Sequence, residues 1–517
     1  MNKPLILWAD DEIDLLKPHI IFLEAKGYDI IPVYNGADAL EKCKEHRFDV
    51  VFLDENMPGL SGLETLSRIK TDFPNLPVVM ITKSEEEHIM EQAIGSKIAD
   101  YLIKPLNPNQ ILLSVKKILQ KTQLIEEKTN LSYQQEFRQL GMTFSDDQDF
   151  KEWTDTYRKL VYWQLEIDRT ENRSMKEIID SQMDEANQYF CRYVMKNYEN
   201  WLNDANAARP VLSHTLMKSK VLPLLQEEEP VFFIVIDNLR YDHWNVFQPL
   251  LAPYFHVEEE SLYYSILPTA TQYARNAIFS GLMPAEIEKK HPNLWVSEEE
   301  EEGKNGHEDE LIKLQLERNK LSVKHSYHKI LNAQQGKNLL DQFNNLMGNK
   351  LNVIVYNFVD MLSHARTDMA VIRELAPDES AYRSVALSWF QHSALFELLK
   401  RLSGKKCKVV LSTDHGTIRV KKPFKIVGDK TTNSNLRYKL GKNLGFEEKG
   451  VLVAKKPERF FLPKPNLSTA YVFATEDEFF AYPNNYNHYV NFYKDTFQHG
   501  GISMEEMMIP VVYMKPK

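Results

Sequence analysis

Three observations predict a multidomain α/β protein. The chain has 517 residues, more than one hydrophobic core organises, so two to four domains are expected. Strand-like and helix-like runs alternate over residues 1–120 and again over 207–517. The residues between, 121–206, carry helical periodicity alone. These spans are the expected domain boundaries. The composition, 43% hydrophobic and 26% charged, is that of a soluble globular protein.

In the first region the strand-like runs are "LILWA", "DIIPVY", "DVVFL", "PVVMIT" and "DYLIK", separated by amphipathic stretches such as 13–26 and 37–47. Five such units predict a parallel, doubly wound sheet with its site beyond the carboxyl ends of the strands. Asp10 and Asp11 follow the first run, Asp54 ends the third, Thr82 the fourth and Lys104 the fifth. Three carboxylates at one sheet edge repel each other unless a cation compensates them. A hard divalent ion with oxygen ligands, Mg²⁺, does so. A carboxylate beside it can attack phosphorus, and a hydroxyl and an ammonium can hold the new phosphoryl oxygens. Taken singly, Asp10 or Asp11 also reads as a helix cap, and Asp54 as a turn residue before "NMPG".

Together, "ADDE", "FLDENMPG", "MIT" and "YLIKP" resemble the motifs of a two-component receiver, a flavodoxin-like domain, over the whole region. The resemblance implies Asp54 as phosphoacceptor, with Asp10 and Asp11 completing the magnesium ligands. It implies Thr82 and Tyr101 as a switch pair, and a cis Lys104–Pro105 bond. It further implies a sensor histidine kinase as phosphodonor, and dimerisation through the face of the last strands and helices.

Residues 121–206 contain no proline and one glycine, Gly141. Trp153, Tyr157, Leu160 and Val161, then Phe190, Tyr193, Val194 and Tyr198, recur at helical spacing. Two or three long helices forming an α-helical bundle are expected, with the aromatic faces as core.

In the last region the buried-looking runs are "VFFIVI", "LNVIVYNF", "KVVLST" and "MMIPVVYM". Asp237 follows the first, and Asp360 and His364 follow the second at a spacing that shares one helix face. Asp414 and His415 follow the third in "STDHG", His499 precedes the fourth, and "LPTATQYAR" puts Thr271 at a predicted helix start. Mixed carboxylate and imidazole donors suit Zn²⁺, with Mn²⁺ as competitor. Two divalent cations would balance three carboxylates and one ionised hydroxyl, and a metal-bound hydroxyl loses its proton readily. The helix N-terminus at Thr271 adds N–H donors for a phosphate. Singly, Asp237 reads equally as a cap, and His364 or His499 as a structural histidine.

This order of residues resembles the alkaline phosphatase superfamily from about residue 230 onward, and "VIDNLRYD" with "LPTATQYAR" its PglZ subgroup. The resemblance implies an alkaline-phosphatase-like α/β domain. One zinc would sit on Asp360, His364 and His499, and another on Asp237, Asp414 and His415, with Thr271 as the metal-bridging nucleophile. A threonine nucleophile leans toward phosphodiester cleavage, and "TATQYAR" disfavours the sulfatase branch. Arg240 and Arg275 are candidates for phosphate contact or for packing. Receiver, helical bundle and PglZ domain in one chain resemble the PorX-type response regulators. That architecture implies phosphorylation-promoted dimerisation, hydrolysis of oligonucleotide phosphodiesters, regulation of type IX secretion, and contact with a secretion motor or a sigma factor. The alternative is a signalling scaffold that acts by binding partners, its metal domain mainly structural.

Two charge runs remain. Residues 298–302 are all glutamate, within a stretch read as helical. Residues 419–442 hold Arg419, Lys421, Lys422, Lys425, Lys430, Arg437, Lys439 and Lys442 against Asp429 alone. That basic run is expected to attract a polyanionic substrate, with Lys421 and Lys422 as contacts. The formal charge of −10 and the lack of a helix-turn-helix pattern disfavour a DNA-binding regulator. Cys43, Cys191 and Cys407 form no metal-type spacing, and no apolar run approaches membrane-span length. The N-terminal run is too short for a signal peptide. A cytoplasmic protein is expected.

Overall fold

A computed structural model describes residues 3–83, 98–170, 172–298, 300, 303–428 and 432–517, apart from the side chains of 120–131, 173, 368 and 370. The chain forms two compact units, Met1–Gln135 with Arg169–Asn172, and Glu136–Asp168 with Arg173–Lys517.

The first unit is the predicted parallel sheet. Its strands are β1 (Leu5–Ala9), β2 (Asp29–Val33), β3 (Val50–Asp54), β4 (Val78–Thr82) and β5 (Asp100–Ile103), in the order β2-β1-β3-β4-β5. Alternation along β1 divides the core. Ile6 and Trp8 face Leu23, Ile111 and Val115, while Leu7 and Ala9 face Ala39, Cys43, Leu66 and Ile69. Helices Lys17–Ala25 and Pro108–Thr143 therefore cover one face, and Gly36–Glu45 and Gly62–Asp72 the other. Gly62 is required where its helix starts, because a Cβ there would lie 2.2 Å from the carbonyl oxygen of Asp54. The helix expected between β4 and β5 falls on residues 84–97, outside the described residues.

The second unit begins with long helices. The last residues of Pro108–Thr143 are followed by Phe150–Thr170 and Arg173–Asn203. Their aromatic faces are core, as expected: Trp153 and Phe190 meet at 5.6 Å, and Phe190 reaches Tyr264 at 5.9 Å. A six-stranded sheet follows. Its strands are β6 (Val231–Ile236), β7 (Phe255–Tyr264), β8 (His325–Ile330), β9 (Leu351–Tyr356), β10 (Lys408–Ser412) and the C-terminal strand Met508–Pro516. The order is β7, Met508–Pro516, β10, β6, β9, β8. Strands β10, β6, β9 and β8 run parallel, and Met508–Pro516 runs antiparallel to both β10 and β7. The continuous apolar runs of β6 and β9 are buried on both faces, as central parallel strands require. Each buried aliphatic side chain there contributes about 1.5–3 kcal/mol. Edge strands β7 and β8 carry polar residues and lacked the apolar run that marked the others.

The two charge runs differ from expectation. Glu298 lies in a turn, and the next α-helix begins only at Glu308; Glu299, Glu301 and Glu302 lie outside the described residues. The basic run is not a solvated stretch. It supplies strands Lys422–Val427 and Tyr438–Gly441 to two small three-stranded sheets, with Asp429 and Lys430 outside the described residues. Arg437 is fully buried and its Nη2 pairs with Glu506 at 2.6 Å. Lys439 is buried, donates to the Asn433 carbonyl at 2.8 Å, and burial pushes its pKa down to about 7. Arg419 pairs with Asp495 at 3.1 Å. Most of the formal positive charge is thus neutralised inside the domain.

Candidate functional sites

At the carboxyl edge of the first sheet, Asp10, Asp11 and Asp54 place carboxylate oxygens within 4.8 Å of one another. Asp10 and Asp54 are buried and Asp11 is exposed. Lys104 Nζ lies 2.9 Å from Asp10 Oδ2 and 2.8 Å from Asp54 Oδ1. Burial, with the Asp10 charge adding to it, raises the Asp54 pKa against the pull of Lys104. The Lys104–Pro105 peptide is cis. Thr82 is buried and donates to Glu55, whereas Tyr101 is 42% exposed.

At the carboxyl edge of the second sheet, two further clusters form. Asp237, Asp414 and His415 make one, and Asp360, His364 and His499 the other. Strands β6 and β10 deliver Asp237 and Asp414–His415, and helix Phe358–Asp368 carries Asp360 and His364 on one face. Gly416 completes the "DHG" turn because a Cβ there would lie 2.0 Å from the Glu505 carbonyl oxygen. Its N–H bonds the Glu506 carbonyl at 3.1 Å. Asn238, absent from the sequence expectations, joins the clusters. With φ of 64° it turns its N–H to Asp414 Oδ1 at 3.3 Å and its Nδ2 to Asp360 Oδ1 at 3.4 Å. Asparagine tolerates this left-handed backbone, which was the available signal for it.

The imidazoles are oriented by backbone carbonyls. His415 Nδ1 lies 3.0 Å from the Gly416 oxygen and His499 Nδ1 3.1 Å from the Thr269 oxygen. A carbonyl only accepts, so each Nδ1 carries the proton and each Nε2 presents a lone pair. His415 Nε2 is 3.0 Å from Thr271 Oγ1 and 3.7 Å from Asp237 Oδ1. His499 Nε2 and His364 Nε2 are each 3.6 Å from Asp360 Oδ1. The rings of His415 and His499 stack at 4.2 Å and link the two clusters. Thr271 is the first residue of helix Thr271–Ser280, its Oγ1 3.4 Å from Asp237 Oδ1.

The charge state of this edge is uneven. Burial works against the Asp237 carboxylate, yet Arg275, with Nη1 2.6 Å from Oδ2, and His415 hold its pKa below the ordinary range. Burial and the nearby Asp237 drive Asp414 well above its ordinary value, and Asp414 Oδ2 has no hydrogen-bond partner. Burial and Asp237 likewise push Asp360 to about 6. Burial, then His415, hold His499 well below its ordinary value. Three carboxylates, three imidazoles, two of them with directed lone pairs, and a buried carboxylate oxygen without a hydrogen bond make a donor set that fits divalent cations of the zinc or manganese type.

The remaining expectations divide. Arg275 lines the cavity, but its guanidinium serves Asp237 and Glu308. Arg240 does not line it. It is 2% exposed, pairs with Asp242, and reaches Glu379 at 2.6 Å. Arg383 joins Asp242 at 2.8 Å and also pairs with Asp168, so this buried network ties helix Phe150–Thr170 to the turn after β6. Lys421 pairs with Asp184 at 3.2 Å and Lys422 with Asp477 at 3.0 Å, and neither lines the cavity. The carboxylates beside these two lysines replace the expected substrate. The cavity, about 750 Å³, is lined instead by Lys304, Asn305, Lys329, Asn435 and Tyr438 beside the two clusters. These residues lie in loops and at strand ends without a motif, so no periodicity marked them.

Three stretches of the chain match known families. Residues 216–514 match the family described as the BREX system PglZ alkaline phosphatase-like domain. Residues 123–202 match the PorX response regulator linker domain, and 6–116 the response regulator receiver domain. The transcriptional regulatory protein ZraR of Klebsiella oxytoca is 35% identical over 136 residues, covering 26% of this chain and 31% of its own. ResD of Bacillus subtilis is 32% identical over 120 residues, 23% of this chain and 50% of its own. The chain thus spans about a third to a half of the length of these curated relatives. Among solved structures, a two-component response regulator from Clostridium difficile matches at 31% identity and TM-score 0.22, over 23% of this chain and 97% of its own. No helix among the described residues is long and apolar enough to cross a membrane.

Proposed function

This chain belongs to the PglZ alkaline phosphatase-like family, joined here to a response regulator receiver, and from that premise we propose a phosphorylation-controlled phosphodiesterase. Functional boundaries fall near residues 120 and 206. The carrying observation is Thr271 Oγ1 beside His415 Nε2 and Asp237 Oδ1, in one cavity with Asp360, His364 and His499.

Asp237, Asp414 and His415 would hold one cation, and Asp360, His364 and His499 another, Zn²⁺ by donor type with Mn²⁺ as competitor. Bound cations supply charge neutralisation at phosphate oxygens and lower the proton affinity of a hydroxyl. Thr271 supplies the attacking oxygen: its bond to phosphorus forms as the bond to the departing ester oxygen breaks, and water then releases the phosphoryl group from threonine. The first-turn N–H groups of helix Thr271–Ser280 favour the anion. Arg275 keeps Asp237 ionised, and Asn238 fixes Asp414 against Asp360. A cavity of about 750 Å³ suits an ester with substituents on both sides, which favours a diester such as an oligonucleotide.

The receiver takes its phosphoryl group from a sensor histidine kinase onto Asp54, with Mg²⁺ on Asp10, Asp11 and Asp54. Thr82 and Tyr101 are the switch pair, and Lys104 steadies the phosphoryl group. Phosphorylation would promote homodimerisation and change output, in a pathway linked to type IX secretion with the secretion motor or a sigma factor as partners. Metal analysis with turnover of a one-phosphate diester tests the core of this reading. Wild-type protein should turn it over and Thr271→Ala should not; full turnover by Thr271→Ala overturns it.

A further inference from the structure

The cavity has more cationic equipment than one phosphate uses. Lys329 is the penultimate residue of β8, at the same carboxyl edge that carries Asp237 and Asp360. Its Nζ donates to the Asn305 carbonyl at 3.2 Å, and Asn305 Nδ2 donates to the Thr271 carbonyl at 3.3 Å. Lys329 is thereby fastened to the first turn of the nucleophile helix through one residue. Among the described residues its anionic neighbour is Glu308, with Oε2 at 3.6 Å, which is shared with Arg275, bonding the same carboxylate through Nε, and with the Tyr327 hydroxyl. Glu308 therefore leaves Lys329 incompletely neutralised. Lys304, next to Asn305, enters the same cavity with Nζ 3.1 Å from the Glu298 carbonyl and 3.9 Å from Glu298 Oε1, a carboxylate oxygen that also accepts from the Tyr438 hydroxyl at 2.7 Å. Both ammonium groups are about one-quarter exposed.

The backbone of Lys329 stands two strands from that of Asp237 in the order β6-β9-β8, about 10 Å at ordinary strand spacing, and its Nζ is engaged by Asn305 and Glu308 rather than by either cluster. An anion on Lys329 is therefore offset from the reacting phosphate, and a second phosphate one sugar away fits that offset. We propose that Lys329, with Lys304 and Asn305, forms a second anion subsite that selects phosphodiesters carrying another phosphate one nucleoside from the scissile one. This rests on the phosphodiesterase reading above and names its substrate class.

The test separates the two readings. Turnover of a one-phosphate diester by the wild-type chain addresses the first; its absence overturns that reading. The subsite is tested by equilibrium binding to the metal-loaded full chain carrying Thr271→Ala, using a dinucleotide with and without a 5′-phosphate. The phosphorylated form should bind about tenfold tighter, the scale of a charge-assisted hydrogen bond. Adding Lys329→Gln or Lys304→Gln should collapse that ratio toward one. A structural role for either lysine would weaken both ligands alike and leave the ratio standing, and an unchanged ratio in both variants overturns the proposal.

Discussion

In the receiver, a cation is built in: Lys104 bridges Asp10 and Asp54, every clustered donor is an oxygen, and Asp11 is open to solvent. In the C-terminal domain the built-in cation, Arg275, pairs with Asp237 at 2.6 Å and stands only 3.6 Å from Asp414 Oδ2, half of the clustered donors are imidazoles, and Asp414 Oδ2 is left without a hydrogen bond. The first cage suits a hard ion that exchanges with solvent and a phosphate that comes and goes. The second suits resident cations that stay while substrate changes. These two ways of balancing charge distinguish the proposed input at Asp54 from the proposed output at Thr271.

The largest expected effect falls on the second cage. Thr271→Val should lower turnover of a diester by about a thousandfold or more, the scale of losing a nucleophile, while metal analysis finds the cations retained. Retained turnover would break the contrast between an input nucleophile at Asp54 and an output nucleophile at Thr271. Next, metal removal should act on the two cages separately. After chelation, Zn²⁺ or Mn²⁺ should restore hydrolysis, and Mg²⁺ should restore only phosphorylation of Asp54 by a small phosphodonor. Equal rescue of both by Mg²⁺ would erase the distinction drawn from donor type.

A third effect concerns Arg240, read from the sequence as a phosphate ligand or a packing residue. The structure buries it between Asp242 and Glu379. Arg240→Met should therefore destabilise the second unit by about 3–5 kcal/mol, the cost of stranding a buried charge. Denaturant unfolding reads that loss; a raised KM at unchanged stability would return Arg240 to the substrate.

Why Arg240 stayed ambiguous while Asp237, ambiguous alone, became clear beside Asp360, Asp414 and His415 is a physical matter. Asp237, Asp360, Asp414 and His415 stand where long apolar runs end, and a parallel sheet gathers such ends at one edge. The receiver was legible for the same reason, since four of its five strands, all but the second, end in or beside a chemically distinctive residue. Charge alone carries no such address. Lys421, Lys422 and Arg437 belonged to a basic run read as attracting a polyanion, but their partners Asp184, Asp477 and Glu506 come from distant parts of the sequence. Lys304, Asn305 and Lys329 meet only through the fold, and β7 and β8 lacked the apolar runs that identify central strands.

The smallest effect is on acid stability, and it probes the wall behind the second cage. His243 is fully buried, and burial holds its pKa down to about 3 despite Asp242 beside it, with Arg240 and Arg383 adding to the depression. Unfolded, the same imidazole titrates near 6.5. Its neutral form is therefore stabilised by folding, fully above the unfolded value, and that contribution is lost as pH falls from about 6.5 toward 3. The slope is about 1.4 kcal/mol per pH unit in that window. Glu505 and Glu478, raised to about 7 by burial, act in the opposite direction, because the folded state takes up their protons first. The net curve mixes these groups, so the informative quantity is a difference between proteins. His243→Asn keeps an acceptor for the Arg240 N–H, which His243 Nδ1 receives at 3.4 Å, and removes the titration. Denaturant unfolding at pH 7, 6 and 5 should show the wild type losing stability relative to the variant by about one proton's worth per pH unit below 6.5. A constant difference across that range would mean that the imidazole takes up its proton in the folded wall as readily as in the unfolded chain, and that this side of the site tolerates charge as the receiver cage does.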